Sequence, residues 1–221
     1  MHEEPSSTRR NFDLCSPFLD VLPVAGASVS VFDPAGRQIS LVASDGIAAR
    51  IDELQFDLGE GPLWDCIRTG RPVLTPEIDL EAEHSWPVFV SELEALAVAG
   101  LFTLPLTMGA VTVGAVTLHR PAPGRLSGAE LSDALATANA IAGIAVRRAI
   151  RAAGDGDDPT APVGIRREVH QATGMVLVQL STTATDAFAR LQAHAFATGS
   201  TVHQVSLDVL SREFSFADQA D

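Results

Sequence analysis

The 221-residue sequence contains no tyrosine and no lysine, only two cysteines, and no long apolar run. Cys15 and Cys66 are too few and too far apart for a disulfide framework or a zinc site, so we interpret them as ordinary thiols. A transmembrane helix needs about 18 consecutive apolar residues. The polar segment Met1–Arg10 lacks the apolar core of a signal peptide. We therefore expect a cytoplasmic protein with no membrane partner.

The formal net charge of −13 argues against a general nucleic-acid binder, because contacts to phosphates normally need a basic surface. The acidic excess lies mostly before residue 155, where 11 arginines face 19 carboxylates. Residues 163–216 have four arginines and four carboxylates, and so no net charge. A basic surface in this last part would have to be formed locally.

The first 150 residues predict an α+β domain with a largely antiparallel sheet. Strands are expected at 27–32, 38–43, 72–75, 101–106 and 111–118, with a turn at 33–36. Helices are expected at 47–54, from Pro62 to Gly70, and at 86–98.

A long helix is predicted from Ser127, which forms a capping box with Glu130, to about Arg151. Its small and apolar residues repeat at spacings of four and three, which fits either a helix on its own sheet or a dimer seam. If the seam joins two protomers, Ala142→Glu should give monomers. The seam consists of Leu131, Leu135, Ala138, Ala142, Ala145 and Ala149.

The segment 153–163 is rich in Gly, Asp and Pro and predicts a linker. Three helices should follow: the first from about Gly164 to Leu180, the second between Thr183 and Gly199, the third after Thr201. A unit of roughly 55 residues is near the lower size limit for a stable core. We expect it to lean on the long helix or on a partner chain.

No pattern in the sequence supports catalysis, a cofactor or a metal site. No pair of histidines has the spacing of a helical metal site. The Gly59–Pro62 turn lacks the ending of a phosphate loop, and no serine lies in a nucleophile elbow. The acidic loop at 77–83 is interpreted as solvated.

The C-terminal helices carry side chains that suit RNA. Arginine binds phosphates and guanine edges, whereas His and Gln can stack on or hydrogen-bond to unpaired bases. Each residue alone also fits an ordinary solvated surface. The candidate RNA contacts are Arg166, Arg167, His170, Gln171, Gly174, Arg190, His194, Gln204 and Arg212.

Residues 166–216 resemble the ANTAR domain, a three-helix RNA-binding module of antitermination regulators. The stretch R-E-V-H-Q-A-T-G-M-V at Arg167–Val176 carries the resemblance, together with D-A-F-A-R-L-Q-A-H-A in the second helix and V-H-Q-V-S-L-D-V-L in the third. Gly174 inside a helix costs about 1 kcal/mol relative to Ala, which close helix contact or RNA approach should offset. The family usually has Ala at Ser206 and often a basic residue at Gln192.

Residues 12–150 resemble a GAF domain, a small-molecule sensor fold. The motifs are G-E-G-P before a helix, then R-P-V, W-P-x-F and V-G-A-V-T-L. Family members often carry Cys directly after the Gly-Pro, where this chain has Leu63, with Cys66 three residues later. The resemblance implies a ligand pocket without naming the ligand.

Together these features predict a disordered N-terminus (1–11), a sensor domain (12–126), a connecting helix (127–152), a linker (153–163), the RNA-binding domain (164–216) and a tail (217–221). The implied function is a homodimeric, signal-responsive antitermination regulator that binds paired stem-loops in leader transcripts. One alternative is a sensor or protein-interaction module without RNA binding. Another is a GAF-type methionine sulfoxide reductase, whose chemistry needs clustered cysteines that this sequence does not supply.

Overall fold

The computed structural model describes residues 13–33, 38–78, 85–154 and 164–219, without the side chains of 153–154, 164–167 and 218–219. A five-stranded antiparallel sheet with the order β2-β1-β5-β4-β3 forms the centre of the first part. This confirms the predicted antiparallel α+β fold. The strands are β1 Gly26–Phe32, β2 Gln38–Ala43, β3 Val73–Thr75, β4 Gly100–Met108 and β5 Val111–Arg120.

Helices cover both faces of the sheet. One face packs on α1 (Ser16–Leu19) and α5 (Gly128–Gly154), and the other on α2 (Gly46–Leu58), α3 (Pro62–Thr69) and α4 (Pro87–Leu93). The central strands are apolar or small on both sides, as a sheet covered on both faces requires. The predicted turn at 33–36 lies mostly outside the described residues.

Two helices differ in length from the sequence prediction. The helix expected at 86–98 ends at Leu93, and two tight turns carry the chain to β4: Leu96 N–H donates to Leu93 O and Val98 N–H to Leu96 O. Leu96 and Val98 still pack on the same apolar cluster, which explains their helix-like spacing. In contrast, α2 runs on to Leu58 and ends at Gly59.

The capping box at the start of α5 is confirmed. Ser127 N–H donates to Glu130 Oε2 at 2.6 Å, and Glu130 N–H donates to Ser127 Oγ at 3.2 Å. These hydrogen bonds hold the pKa of the fully exposed Glu130 carboxyl below its usual value. They satisfy backbone donors that the first turn of a helix leaves free.

The predicted seam of α5 faces the chain's own sheet. Ala138, Ala142 and Ala145 are at most 1% exposed and belong to the core beneath the sheet, with Ala149 at its end. Leu131 and Leu135 pack against the same core. Of the two readings of this pattern, the intramolecular one is observed in the chain, and the homodimer stays a prediction. Small side chains are needed here because they let α5 approach the strands closely.

Three helices occupy the C-terminal part: α6 Gly164–Leu180, α7 Ala184–Thr198 and α8 Val202–Ser211, followed by a 3-10 turn. Thr183 and Thr201 cap α7 and α8 through their side-chain oxygens, and Gly199 ends α7 in a left-handed conformation. The core is formed by Val169, Ala172, Val176, Ala187, Leu191, Ala195, Val202, Val205 and Val209. We call this part the three-helix unit.

Candidate functional site

The Gly59–Pro62 turn connects α2 to α3, and its contacts also reach α4. Gly61 has φ +119, and a Cβ there would lie 2.8 Å from Gln55 Cγ, so only glycine fits. Gln55 Oε1 accepts from Leu63 N–H at 2.7 Å, and Glu60 Oε1 accepts from Phe89 N–H, also at 2.7 Å. The motif thus fixes α2, α3 and α4 to one another on one face of the sheet.

That face of the sensor domain is lined by aromatic residues. The rings of Phe32 and Trp64 meet edge to face at 5.4 Å, and those of Trp86 and Phe89 at 6.5 Å. Trp86 Nε1 donates to Asp65 Oδ2 at 3.2 Å, which ties the start of α4 to α3. These contacts join α3 to β1 and to α4 on this face of the sheet.

A buried carboxylate joins α2 to the edge of the sheet. Asp52 is 7% exposed and accepts hydrogen bonds from Ser30 Oγ at 2.7 Å and from Gln38 Nε2 at 2.9 Å. Ser40 Oγ donates to its other oxygen. Four polar side chains on β1, β2 and α2 therefore form one network. Sequence reasoning missed it because the four residues are distant in sequence and none belongs to a motif.

A second polar link connects α2 to the central strand β5. Asp45 caps α2 by accepting from Ala48 N–H at 2.8 Å, and both its carboxylate oxygens lie 3.2–3.3 Å from Nε2 of the buried His119. A Cβ on Gly26 would lie 1.8 Å from Asp45 Oδ2, so a larger residue there would displace this carboxylate from His119. Burial raises the pKa of Asp45, but the hydrogen bonds from Ala48, Ser44 and His119 outweigh it and lower this pKa overall.

The two cysteines lie on opposite faces of the sheet. Cys15 belongs to the core under α5, and Cys66 packs with Leu63 and Ala115 on the other side. Both thiols are free and buried, and burial raises the pKa of each to about 12. Thiolate chemistry is therefore strongly disfavoured at neutral pH. Among the described residues, no group of three His, Cys, Asp or Glu side chains could hold a metal ion.

A cavity of about 370 Å³ lies between the sensor domain and the three-helix unit. Its walls come from β2, from one side of α2, and from Val169 and His203 of the unit. The charged side chains around it have partners: Arg50 pairs with Glu53 at 2.7 Å, and His203 Nε2 lies 2.8 Å from Glu168 Oε2. The cavity is a space between the sensor domain and the three-helix unit that their side chains do not fill.

The predicted RNA contacts are distributed over the surface of the three-helix unit. Gln171, Arg190, Gln204 and Arg212 are exposed, while His170 is half-buried. Gln204 Nε2 donates to Asp208 Oδ1 at 2.9 Å, so its amide is held along α8. The side chains of Arg166 and Arg167 lie outside those described.

Gly174 is exposed in the middle of α6 with free space around it. A Cβ built on this residue would meet no atom within 4 Å. Close packing between helices therefore does not explain why glycine stands here, although that was one of the two explanations expected. The exposed Val178 lies one turn further along α6 and is 74% accessible. Gly174 and Val178 therefore lie on the exposed side of α6, away from the core of the three-helix unit.

His194 belongs to an aromatic cluster that sequence reasoning missed. Its ring stacks on Phe214 at 4.2 Å and 28°, and it meets Phe216 edge to face at 5.6 Å. Phe214 is half-buried, whereas Phe216 is in the core. A histidine with two phenylalanines after the third helix could have indicated such a cluster, but their contact depends on how the chain folds back after α8.

Gln192 does not extend into solvent as a surface residue of α7 would. Its side-chain nitrogen donates to Phe56 O at 3.2 Å and to Asp57 O at 2.9 Å, both in the last turn of α2. Gln192, where the resembled family often has a basic residue, therefore forms a contact between the two parts of the chain.

Solved structures share this antiparallel five-stranded sheet with helices on both faces. One is a domain of a protein assigned as a two-component sensor histidine kinase from Sinorhizobium meliloti 1021 (19% identity, TM-score 0.50), covering 65% of this chain and 93% of that one. Another is a GAF domain/HD domain protein from Geobacter sulfurreducens (14% identity, TM-score 0.50; 62% and 90% covered).

The model of the GAF domain family matches residues 13–147, which is more than half of the chain. The chain therefore belongs to the GAF domain family, as the sequence motifs predicted. A comparison with curated proteins finds no match. In the described part of the chain, no helix combines the length and apolar character that crossing a bilayer requires.

Proposed function

We propose that this protein is a signal-responsive transcription antitermination regulator: its GAF domain receives a small-molecule or protein signal, and its three-helix unit binds RNA. The sensor half of the proposal rests on family membership. The RNA half rests on the resemblance of 166–216 to the ANTAR domain and on the surface of the unit. The proposal includes no catalytic step, and it requires a cytoplasmic protein, since its target is a nascent transcript.

Gly174 is the observation that carries the RNA half of the proposal. Glycine inside a helix costs about 1 kcal/mol relative to alanine. No neighbouring atom of the chain excludes a side chain at this position, because an added Cβ would stand in open space. A backbone or base that approaches α6 closely from outside would need that space.

The surroundings of Gly174 suit unpaired bases better than duplex RNA. Gln171 lies exposed one turn before it, and a glutamine amide can pair with base edges. Residues 163–216 carry no net charge, so the unit cannot depend on many phosphate contacts. The stacked rings of His194 and Phe214 add a further aromatic surface on which a loop base could stack.

In this mechanism two protomers bind the two stem-loops of a leader transcript and prevent a terminator hairpin from forming. Two features of this mechanism, the paired RNA sites and the homodimer, are carried over from the resembled family. A homodimer would need a surface other than the alanines of α5, since these are buried in the sensor core.

Gly174→Ala tests the proposal, because it separates stability from binding. The variant should raise the free energy of unfolding by up to about 1 kcal/mol in urea titrations, since alanine favours the helix. It should also weaken binding to a paired-hairpin leader RNA at least ten-fold in gel-shift titrations at fixed salt. Gly128→Ala is the matched control: its added Cβ also meets open space, and it lies at the start of α5, where RNA binding should not change.

Wild-type RNA affinity in Gly174→Ala would contradict the contact proposed at Gly174, and no shift of the wild-type protein at high concentration would sink the RNA half. The second candidate function, a GAF sensor or protein-interaction module without RNA binding, would then stand. Two observations favour it: the net charge of −13, and the use of Gln192 in an internal contact in place of a basic residue on the surface.

A further inference from the structure

The last turn of α2 takes part in the cores of both halves of the chain. Phe56 is 8% exposed and packs among the apolar residues of the three-helix unit. Its ring lies 5.3 Å from that of Phe188 on α7. In the same helix, Ile51 and Leu54 belong to the sensor core. One helix therefore supplies apolar side chains to two separate clusters.

Polar contacts at the same turn satisfy helix-end groups on both sides. The final carbonyls of a helix have no donor within it, and here Gln192 Nε2 donates to Phe56 O and Asp57 O. The first N–H groups of a helix likewise lack internal acceptors, and Val202 N–H, at the start of α8, donates to Asp57 Oδ2 at 3.3 Å. These hydrogen bonds therefore fix the orientation of α7 and α8 relative to α2, in addition to the apolar packing of Phe56.

The remainder of α2 is tied to the interior of the sensor domain. Its first residue follows Asp45, which contacts His119 of β5, and Asp52 is bonded to β1 and β2. Gln55 accepts from the start of α3, and Arg50 lies 3.8 Å from Glu92 of α4. A rearrangement of the sheet or of α3 and α4 must therefore displace α2.

We propose that the last turn of α2, residues 56 and 57, is a latch that fixes the three-helix unit to the sensor domain and passes movements of α2 to it. The cavity borders this contact, since Phe56 and Asp57 are among its lining residues. The latch determines how firmly the unit is held, and only its consequence for RNA rests on the proposed function.

Gln192→Glu is the sharpest test, because glutamate has nearly the same shape but, when ionised, no hydrogen to donate. Its carboxylate would face two carbonyl oxygens and the negative end of the α2 dipole. In hydrogen-exchange mass spectrometry on the full chain, we expect exchange in α7 and α8 to become about ten-fold faster. Exchange in β4 and β5 should remain unchanged, which also verifies that the sensor domain is folded.

Two variants serve as controls. Gln192→Arg keeps donors and adds a cation at the carboxyl end of α2, so its exchange should stay within about two-fold of wild type. Ala193→Glu places the same new charge on an exposed neighbour and should also behave as wild type.

Wild-type exchange in Gln192→Glu, an equal acceleration in Ala193→Glu, or an acceleration that includes β4 and β5 would each overturn the latch. Titration of the same variants with paired-hairpin leader RNA keeps the two proposals apart. If no variant binds RNA but Gln192→Glu alone loosens α7 and α8, the latch stands and the RNA function fails.

Discussion

The sensor domain and the three-helix unit have different kinds of core. The sensor encloses large side chains, among them the fully buried Phe18, Phe89 and Phe102, between a sheet and two layers of helices. The unit is filled mainly by alanine and valine, and its cluster includes Phe56 from the sensor. A sequence of about 55 residues can bury only a small apolar area on its own. We therefore expect the sensor to be stable on its own, whereas the unit should depend on it.

The two regions also use polar side chains differently. In the sensor, Asp45 and Asp52 connect helices to strands from within the domain. In the unit, Thr183 and Thr201 cap the helices locally, while Gln192 contacts the other half of the chain. The sensor's polar contacts connect its helices to its sheet. Those of the unit shape single helices and anchor it at one point.

The largest effect is expected from Ala142→Glu in the sensor core. Ala142 is 1% exposed against the sheet, so a buried, unpaired carboxylate should lower the free energy of unfolding by more than about 4 kcal/mol. Urea titration of the full chain would measure it. Ala140→Glu, on the exposed side of the same helix, is the control and should change stability by about 0.5 kcal/mol or less. A soluble, stable Ala142→Glu protein would contradict the observed packing of α5.

The dependence of the unit on the sensor can be tested with Phe56→Ala. Removing this ring should lower the stability of the unit by about 3 kcal/mol, because large-to-small changes in a core leave a cavity. Urea unfolding followed by circular dichroism should then show two transitions, with the unit unfolding first. Phe196→Ala, at a residue that is 65% exposed, is the control. A single transition at wild-type stability would show that the unit is self-sufficient after all.

A smaller effect is expected from Asp45, which joins α2 to β5. Its pKa is lowered in the folded state, so its contribution is present at neutral pH and is lost as the pH falls below the ordinary aspartate pKa of 3.8. Asp45→Ala should cost about 1 kcal/mol at pH 7, as the loss of an N-cap does. The difference from wild type should shrink in urea titrations at acid pH. Asp133→Ala, a surface change on α5, is the control and should change the free energy of unfolding at pH 7 by about 0.5 kcal/mol or less.

Much of the fold could be predicted because its signals are local. The capping box at Ser127, the proline at the start of α3 and the glycine after α7 each act within a few residues of themselves. Strand positions followed from runs of β-branched and apolar residues bounded by turns. The helix expected to reach Val98 was overextended, because Leu96 and Val98 join the apolar cluster from a loop.

The candidate site was only partly predictable. Gln171, Gly174, Arg190, Gln204 and Arg212 are exposed, which their proposed role requires. The aromatic partners of His194 and the contact made by Gln192 were missed, because each depends on residues that come together only in three dimensions. The roles proposed for Arg166 and Arg167 stay predictions.

The sequence by itself determined which helices and strands form and in what order, and that a GAF domain precedes three short helices. Caps, turn residues and apolar periodicity act over one or two turns of chain, so they can be read without a structure. Only the tertiary structure decided which surfaces are occupied. It turned the alanine side of α5 towards its own sheet, left Gly174 open, and placed Gln192 on the end of α2. These are contacts between distant residues, and no local pattern specifies them.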